Sequence, residues 1–258
     1  MAVAHKSAIS VGLLYIPVGL YKTSRDIGVS FNQLSKNSHE RIRYEKRCPS
    51  CEHPLKNDEI VKGYQYEPDK YVIITDEELE NIKDKKDKTI HILHFSKMAD
   101  IEQIYYEKNY YCIPETGGEK AFELLRQAML SQKEVAIAKT VLGTHQSLIV
   151  LYPTKEGIIA KTLYYSEEIQ EIPKSIPKVQ LDKQELEMAK TLITTMTQKF
   201  DISLYHDEYQ ERLRQAIEKK IAGQEIVSTD TSKPSNVISI MDALQKTLEM
   251  SQGDKGTA

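Results

Sequence analysis

The sequence predicts an α+β fold in which an antiparallel β-barrel or sandwich comes first and helices follow. Two observations carry this. From about residue 7 to 165 the chain breaks into short segments rich in β-branched and aromatic residues, punctuated by Gly, Pro, Asn and Asp. After residue 181 the apolar residues recur instead at helical spacing. Many short strands with few helices between them favour an antiparallel closure over a parallel α/β sheet.

The strand-like segments are, in order, "ISVGLLYIPVGLY", "VSFNQL", "RIRYEK", "VKGYQY", "YVIIT", "TIHILHF", "EVAIAKTVL", "SLIVLY" and "IIAKTLYY". Two helices interrupt them. The first begins at Thr75, where Glu78 completes a capping box in "TDEEL". The second follows Gly117-Gly118 and places Phe122, Leu125 and Met129 on one face. Beyond the loop "SEEIQEIPKSIPKVQ", Leu186, Ala189, Ile193, Met196 and Phe200 stripe one amphipathic helix. Tyr209, Leu213, Ile217 and Ile221 stripe another, with Gly223 where a C-terminal stop belongs. "STDTSKPSN" then reads as a linker, and Val237, Met241, Leu244 and Leu248 stripe a last short helix, which either folds back or meets a partner.

At 258 residues the chain has room for one full core plus appendages. Its 35 Lys and Arg against 38 Asp and Glu leave a net charge of −3, so any polyanion must be held by a local concentration of cations. No apolar run reaches the ~18 to 20 residues a membrane span needs. The start, "MAVAHKSAISVGLLYIPVGLYK", alternates too strongly and carries Pro17 too early for a signal peptide. The cytoplasm is the expected compartment. Three cysteines make no disulfide framework, and Cys112, among aromatics, reads as a buried unreactive thiol.

The richest stretch is "RIRYEKRCPSCEHPLKNDEIVKGYQY", residues 41 to 66. Cys48 and Cys51 have the spacing of a zinc knuckle, with His39 upstream and His53 downstream as further ligands; a reduced surface pair is the simpler reading. If 41 to 47 is a strand, Arg41, Arg43 and Arg47 leave one face while Ile42 and Tyr44 leave the other, and Lys46 adds a fourth cation. Such a face suits a phosphate backbone or, more simply, a solvated edge. His91 and His94 are expected on opposite sides of their strand. No phosphate-binding loop, dinucleotide fingerprint, zinc-protease helix or nucleophile elbow occurs, which favours a binding protein over an enzyme.

Taken together, "AISVGLLYIPVGLY", "VSFNQL", "RIRYEKRCPSCEHPLKNDEIVKGYQYEPDKYVIITDEELE", "IEQIYYEKNYYCIPETGGEKAFELLRQAM", "KEVAIAKTVL" and "ELEMAKTLITTMTQKFDISLYHDEYQERL" resemble the bacterial Ku family in order and spacing, from about residue 7 to 250. The resemblance implies an antiparallel β-barrel core with an inserted bridge that encircles DNA, followed by a C-terminal helical arm. It implies boundaries at 1–180 for the core, about 105–132 for the bridge, 181–225 for the arm and 226–258 for linker and terminal helix. It further implies a non-catalytic homodimeric ring that threads double-stranded DNA ends and recruits an ATP-dependent DNA ligase in non-homologous end joining. No cofactor is required, with structural zinc an option, and the compartment is the bacterial cytoplasm, at the nucleoid.

A ring that accepts any end should contact phosphates and not bases. In the segment resembling the bridge, Lys108, Lys120 and Arg126 are then candidate contacts, as is Lys139 in the barrel. There are departures. Trp is absent, Gly19 stands where relatives carry Lys, Ser35 where they often carry His, and "LGTHQSL" keeps only His145 where a basic cluster is common. The chain ends at "GDKGTA" without a Lys-rich tail, so weaker, more salt-sensitive end binding is expected. The alternative from another class is a zinc-ribbon-type transcription or protein-interaction module, resting on Cys48 and Cys51.

Overall fold

The structure, a computed structural model, describes residues 2–50, 53–82, 87–143, 145–174 and 179–225, with positions 245 and 247. Strand β1 (His5–Val11) turns at Gly12, whose φ of 57° suits a residue without Cβ, into β2 (Leu14–Lys22). The chain then departs. It makes a hairpin of β3 (Lys62–Glu67) and β4 (Lys70–Ile74) and a short helix α1 (Asp76–Ile82). It returns as β5 (Ile90–Lys97) and continues through β6 (Tyr106–Pro114), helix α2 (Glu119–Gln132), β7 (Glu134–Leu142), β8 (His145–Pro153) and β9 (Ile158–Leu163).

Seven strands close a barrel in the order β1-β2-β6-β9-β8-β7-β5, and β3 and β4 form a separate two-stranded sheet. The closing seam, β1 against β5, is parallel, because the chain crosses the barrel by way of the long excursion between β2 and β5. The other six seams are antiparallel. Strict alternation fills the interior with Ile9, Ile16, Val18, Leu20, Tyr110, Cys112, Ala136, Ala138, Ile149, Leu151, Ile158 and Ala160. Phe122, Leu125 and Met129 of α2 join that same cluster, so the helix seals the barrel with the face its sequence marks as apolar.

Two expectations about this region need correction. Residues 105–132 are not a projecting bridge. They supply β6, hydrogen-bonded between β2 and β9, and the sealing helix, and their alternate residues Tyr110 and Cys112 are core. The segments "VSFNQL" and "RIRYEK" are not strands: among the described residues they make only one isolated bridge, Leu34↔Arg41. No neighbouring ladder flanks them, and a strand without one leaves its backbone groups to water.

The capping box at Thr75 forms as expected. Thr75 N–H donates to Glu78 Oε2 (2.8 Å) and Glu78 N–H to Thr75 Oγ1 (3.2 Å). In β5 the expected separation of His91 and His94 fails for a definite reason. His91 pairs with Lys139, Ile92 with Ala138 and His94 with Ile137, so a bulge at Leu93 returns both imidazoles to the same, outer face.

The chain divides into two compact units. One holds Met1–Asp26 and Asn32–Pro173; the other holds Ile27–Phe31 and Lys174–Ala258. In the second, α3 (Lys183–Met196) starts at the N-cap Asp182, whose side chain accepts from Gln184 N–H. Helix α4 (Glu208–Ile221) starts at Asp207 and ends in a Schellman turn. Gly223, at φ 77°, donates to Lys220 O, and Gln224 N–H donates to Lys219 O (2.9 Å). Ile27–Phe31 belongs here because Arg214 donates to Ile27 O (2.8 Å) and Val29 N–H to Gln210 Oε1 (3.1 Å). The linker and the stripe Val237, Met241, Leu244 and Leu248 lie outside the described residues.

Candidate nucleic-acid interface

Barrel register sorts the candidate cations. On β7, Val135, Ile137 and Lys139 point away from the interior that Ala136 and Ala138 fill. Their cross-strand partners extend this outer face. One row runs His91, Lys139, Leu148, Leu163, Tyr106; the next runs Ile137, Val150, Lys161, Asn109. Val135, Ile137 and Val150 are buried there beneath Met98, Ile101, Tyr106 and Tyr152. The outer wall is thus an apolar centre with Lys139 on one side and Lys161 on the other.

Lys161 escaped the sequence reading. Its Nζ lies 4.5 Å from the ring centroid of Tyr106 and 4.6 Å from that of Tyr152, and burial lowers its pKa. The only signal was its alternation within "IIAKTL", which assigns a face but no neighbours.

Of the predicted contacts on β6 and α2, Arg126 is engaged within the chain. Its guanidinium makes a fork on Glu123 (2.8 and 2.6 Å) and also donates to Thr154 O (2.6 Å) and Lys155 O (3.2 Å). These bonds hold Glu123 down to about 2, with Gln127 assisting, and tie α2 to the turn between β8 and β9. Lys108 is exposed but paired with Glu107 at 2.6 Å, which raises its pKa. Lys120 is exposed in the first turn of α2.

In the excursion, Arg41 and Arg43 are exposed, and among the described residues neither side chain has an ion-pair or hydrogen-bond partner. Lys46 donates to Asn57 Oδ1 (2.9 Å), and Arg47 faces Glu45 at 3.5 Å. Backbone bonds close two successive loops here. Ser35 N–H to Glu40 O and Ile42 N–H to Gln33 O close the loop carrying His39; Leu55 N–H to Lys46 O (2.7 Å) closes the loop carrying Cys48. Cys48 is half-buried, His39 has a left-handed φ of 57°, and His53 Nδ1 meets Pro54 O at 3.1 Å. Cys51 lies outside the described residues. Among those described, no three His, Cys, Asp or Glu side chains gather as a metal site would require.

Comparison with known proteins then decides the family. The model of the Ku70/Ku80 β-barrel domain matches residues 10–188. A non-homologous end joining protein Ku from Lachnoclostridium phytofermentans is 48% identical over 99% of this chain and 100% of its own length. Those of Archaeoglobus fulgidus and Bacillus subtilis are 38% and 34% identical over 96% and 95% of this chain, covering 99% and 80% of theirs.

The chain belongs to the Ku family. It is a Ku protein of non-homologous end joining, a family of non-catalytic proteins, and the zinc-ribbon transcription module has no support over such a match. The departures from other Ku chains acquire a physical setting. Gly19 sits beneath the Tyr21 ring, where an added Cβ would come within 3.1 Å of the ring edge, so an aromatic occupies the space a longer side chain would need. Ser35 Oγ accepts from Ser38 N–H (3.4 Å) inside its loop. No described helix is long and apolar enough to cross a membrane.

Proposed function

We propose that this Ku chain acts as a homodimeric clamp that binds double-stranded DNA ends through their phosphates and brings an ATP-dependent ligase to them. The observation that carries the proposal is the near full-length match to end-joining Ku proteins. Physical support comes from cations with no ionic partner among the described residues: exposed Arg41 and Arg43 in the excursion, exposed Lys120 on α2 and half-buried Lys139 on the barrel wall. Contacts made through phosphates carry no sequence information, which suits binding without sequence preference.

The hairpin of β3 and β4 supports the dimer. It is solvent-exposed on both faces, with Tyr64, Tyr66, Tyr71 and Ile73 each more than half exposed. A lone two-stranded hairpin is marginal in water, so a second copy is the natural cover. Recruitment of the ligase rests on the family alone. A structural zinc, if bound, would take Cys48 and Cys51 as thiolate ligands with His39 or, as the alternative, His53 beside them; His39 and Cys48 lie in two successive loops closed by backbone bonds. Both loops are short and pinned at their necks, which keeps the ordering cost of metal binding small.

Gel-shift binding to a linear duplex, compared with the same duplex closed into a circle, tests end binding. Complexes on the linear form alone are expected; equal binding to both removes threading.

A further inference from the structure

We infer that Lys161, clamped between Tyr106 and Tyr152, is a fixed phosphate-binding position on the outer wall of the barrel, working with Lys139. This rests on the DNA-binding reading above and adds a residue and a geometry to it.

The lysine is unusual in two respects at once. It is half-buried on the outer face of β9, and its ammonium lies within cation–π distance of two rings, one from each flanking strand. Yet among the described residues it has no salt-bridge or hydrogen-bond partner for its ammonium. A partly desolvated ammonium is ordinarily compensated by a carboxylate. Here its cross-strand neighbours are Asn109 and Val150, and the carboxylate closest in sequence on β6, Glu107, is engaged by Lys108 (2.6 Å) and Thr162 (3.1 Å). The rings contribute their negative faces but accept none of the three N–H bonds well. An anion from outside the chain completes the site.

Two features select a phosphodiester. Aromatic faces hold the lysine stem in one place, so little freedom is lost when a diffuse, sequence-independent anion arrives. Lys139 occupies the same outer face two strands away and one side-chain row along, which by ordinary sheet spacings separates the two Cα atoms by about 12 Å. Two positive charges on one wall, with uncharged Leu148, Val150 and Ile137 between them, match a polyanion better than a single carboxylate.

The test is binding of the full-length chain to a fluorescent linear duplex by anisotropy between 50 and 200 mM salt, for wild type, Lys161→Gln, Lys161→Arg and Tyr152→Phe, each checked by thermal unfolding. Lys161→Gln should reduce the salt slope by about 0.9, so its affinity deficit shrinks about 3.5-fold across that range. Lys161→Arg and Tyr152→Phe, which keep the charge and the ring, should retain the wild-type slope. An unchanged slope in Lys161→Gln while wild type binds normally overturns this inference and leaves end binding standing. A lowered melting temperature with that unchanged slope makes the cluster a packing feature only and overturns it equally. A wild-type chain that binds no linear duplex overturns both readings.

Discussion

Replacing Phe122 by Ala tests whether α2 seals the barrel. The side chain is 5% exposed and packs in the interior cluster with Leu125 and Met129, so its loss leaves a void at the end of a closed sheet that cannot collapse inward. Phe→Ala changes in such cores cost about 3–5 kcal/mol. At this chain length each kcal/mol lowers the melting temperature by about 2–4 °C, which gives a fall of roughly 6–20 °C. Leu124, two residues on, is 70% exposed on the opposite side of the same helix, and its replacement by Ala should stay within about 0.5 kcal/mol. Thermal melts of the full chain followed by circular dichroism compare the two directly. Equal, small shifts would refute the reasoning, because an α2 that projects as a bridge would bury neither residue.

Arg43→Glu and Lys139→Glu should each weaken binding to every duplex sequence alike, and a measured salt slope smaller by about one per lost phosphate contact checks this. Arg126→Gln should lower the melting temperature by releasing α2 from the turn after β8, while the salt slope of the protein that remains folded stays at the wild-type value. Metal analysis of reduced, purified protein should return one zinc per chain, and Cys48→Ser should lose it together with thermal stability; no zinc in the wild type removes the metal. Asp87, held at about 2 by its bonds to Thr89 and His91, ionises more readily folded than unfolded. It therefore stabilises the fold above the ordinary carboxylate value, and that contribution disappears as pH falls toward 2. Asp87→Asn should accordingly be less stable than wild type at pH 6, with the gap closing on acidification in parallel urea titrations.

Much of the fold was legible because its elements obey local rules. The capping box at Thr75, the apolar face of α2 and the glycine stop of α4 are each written in a few neighbouring residues, and each formed where expected. What the sequence hid was pairing. "RIRYEK" has the composition of a strand but no ladder beside it, whereas "YYEKNYYCIP" looks like part of a projection and lies in the barrel wall. Both depend on partners far along the chain. The bulge that brings His91 and His94 to one face is likewise a property of β7 as much as of β5. For the same reason the bonds of Arg126 and the two rings around Lys161 were hidden: sequence sees a charge, and only packing shows what already engages it.

That distinction matters for a chain of net charge −3 that is proposed to hold a polyanion. Its cations divide by what they touch. Lys62 pairs with Asp76, Lys70 with Glu67, Lys108 with Glu107, Lys190 with Glu187 and Arg126 with Glu123, so these contribute little outward field. Among the described residues, Arg41, Arg43, Lys120, Lys139 and Lys161 have no acidic partner. Each phosphate that such a group neutralises adds about 0.9 to the salt slope, so five in simultaneous contact correspond to a slope near 4.5 per protomer. A measured slope well above that figure would mean that cations beyond these five reach DNA. A slope near zero would place these five charges on a surface that DNA never meets.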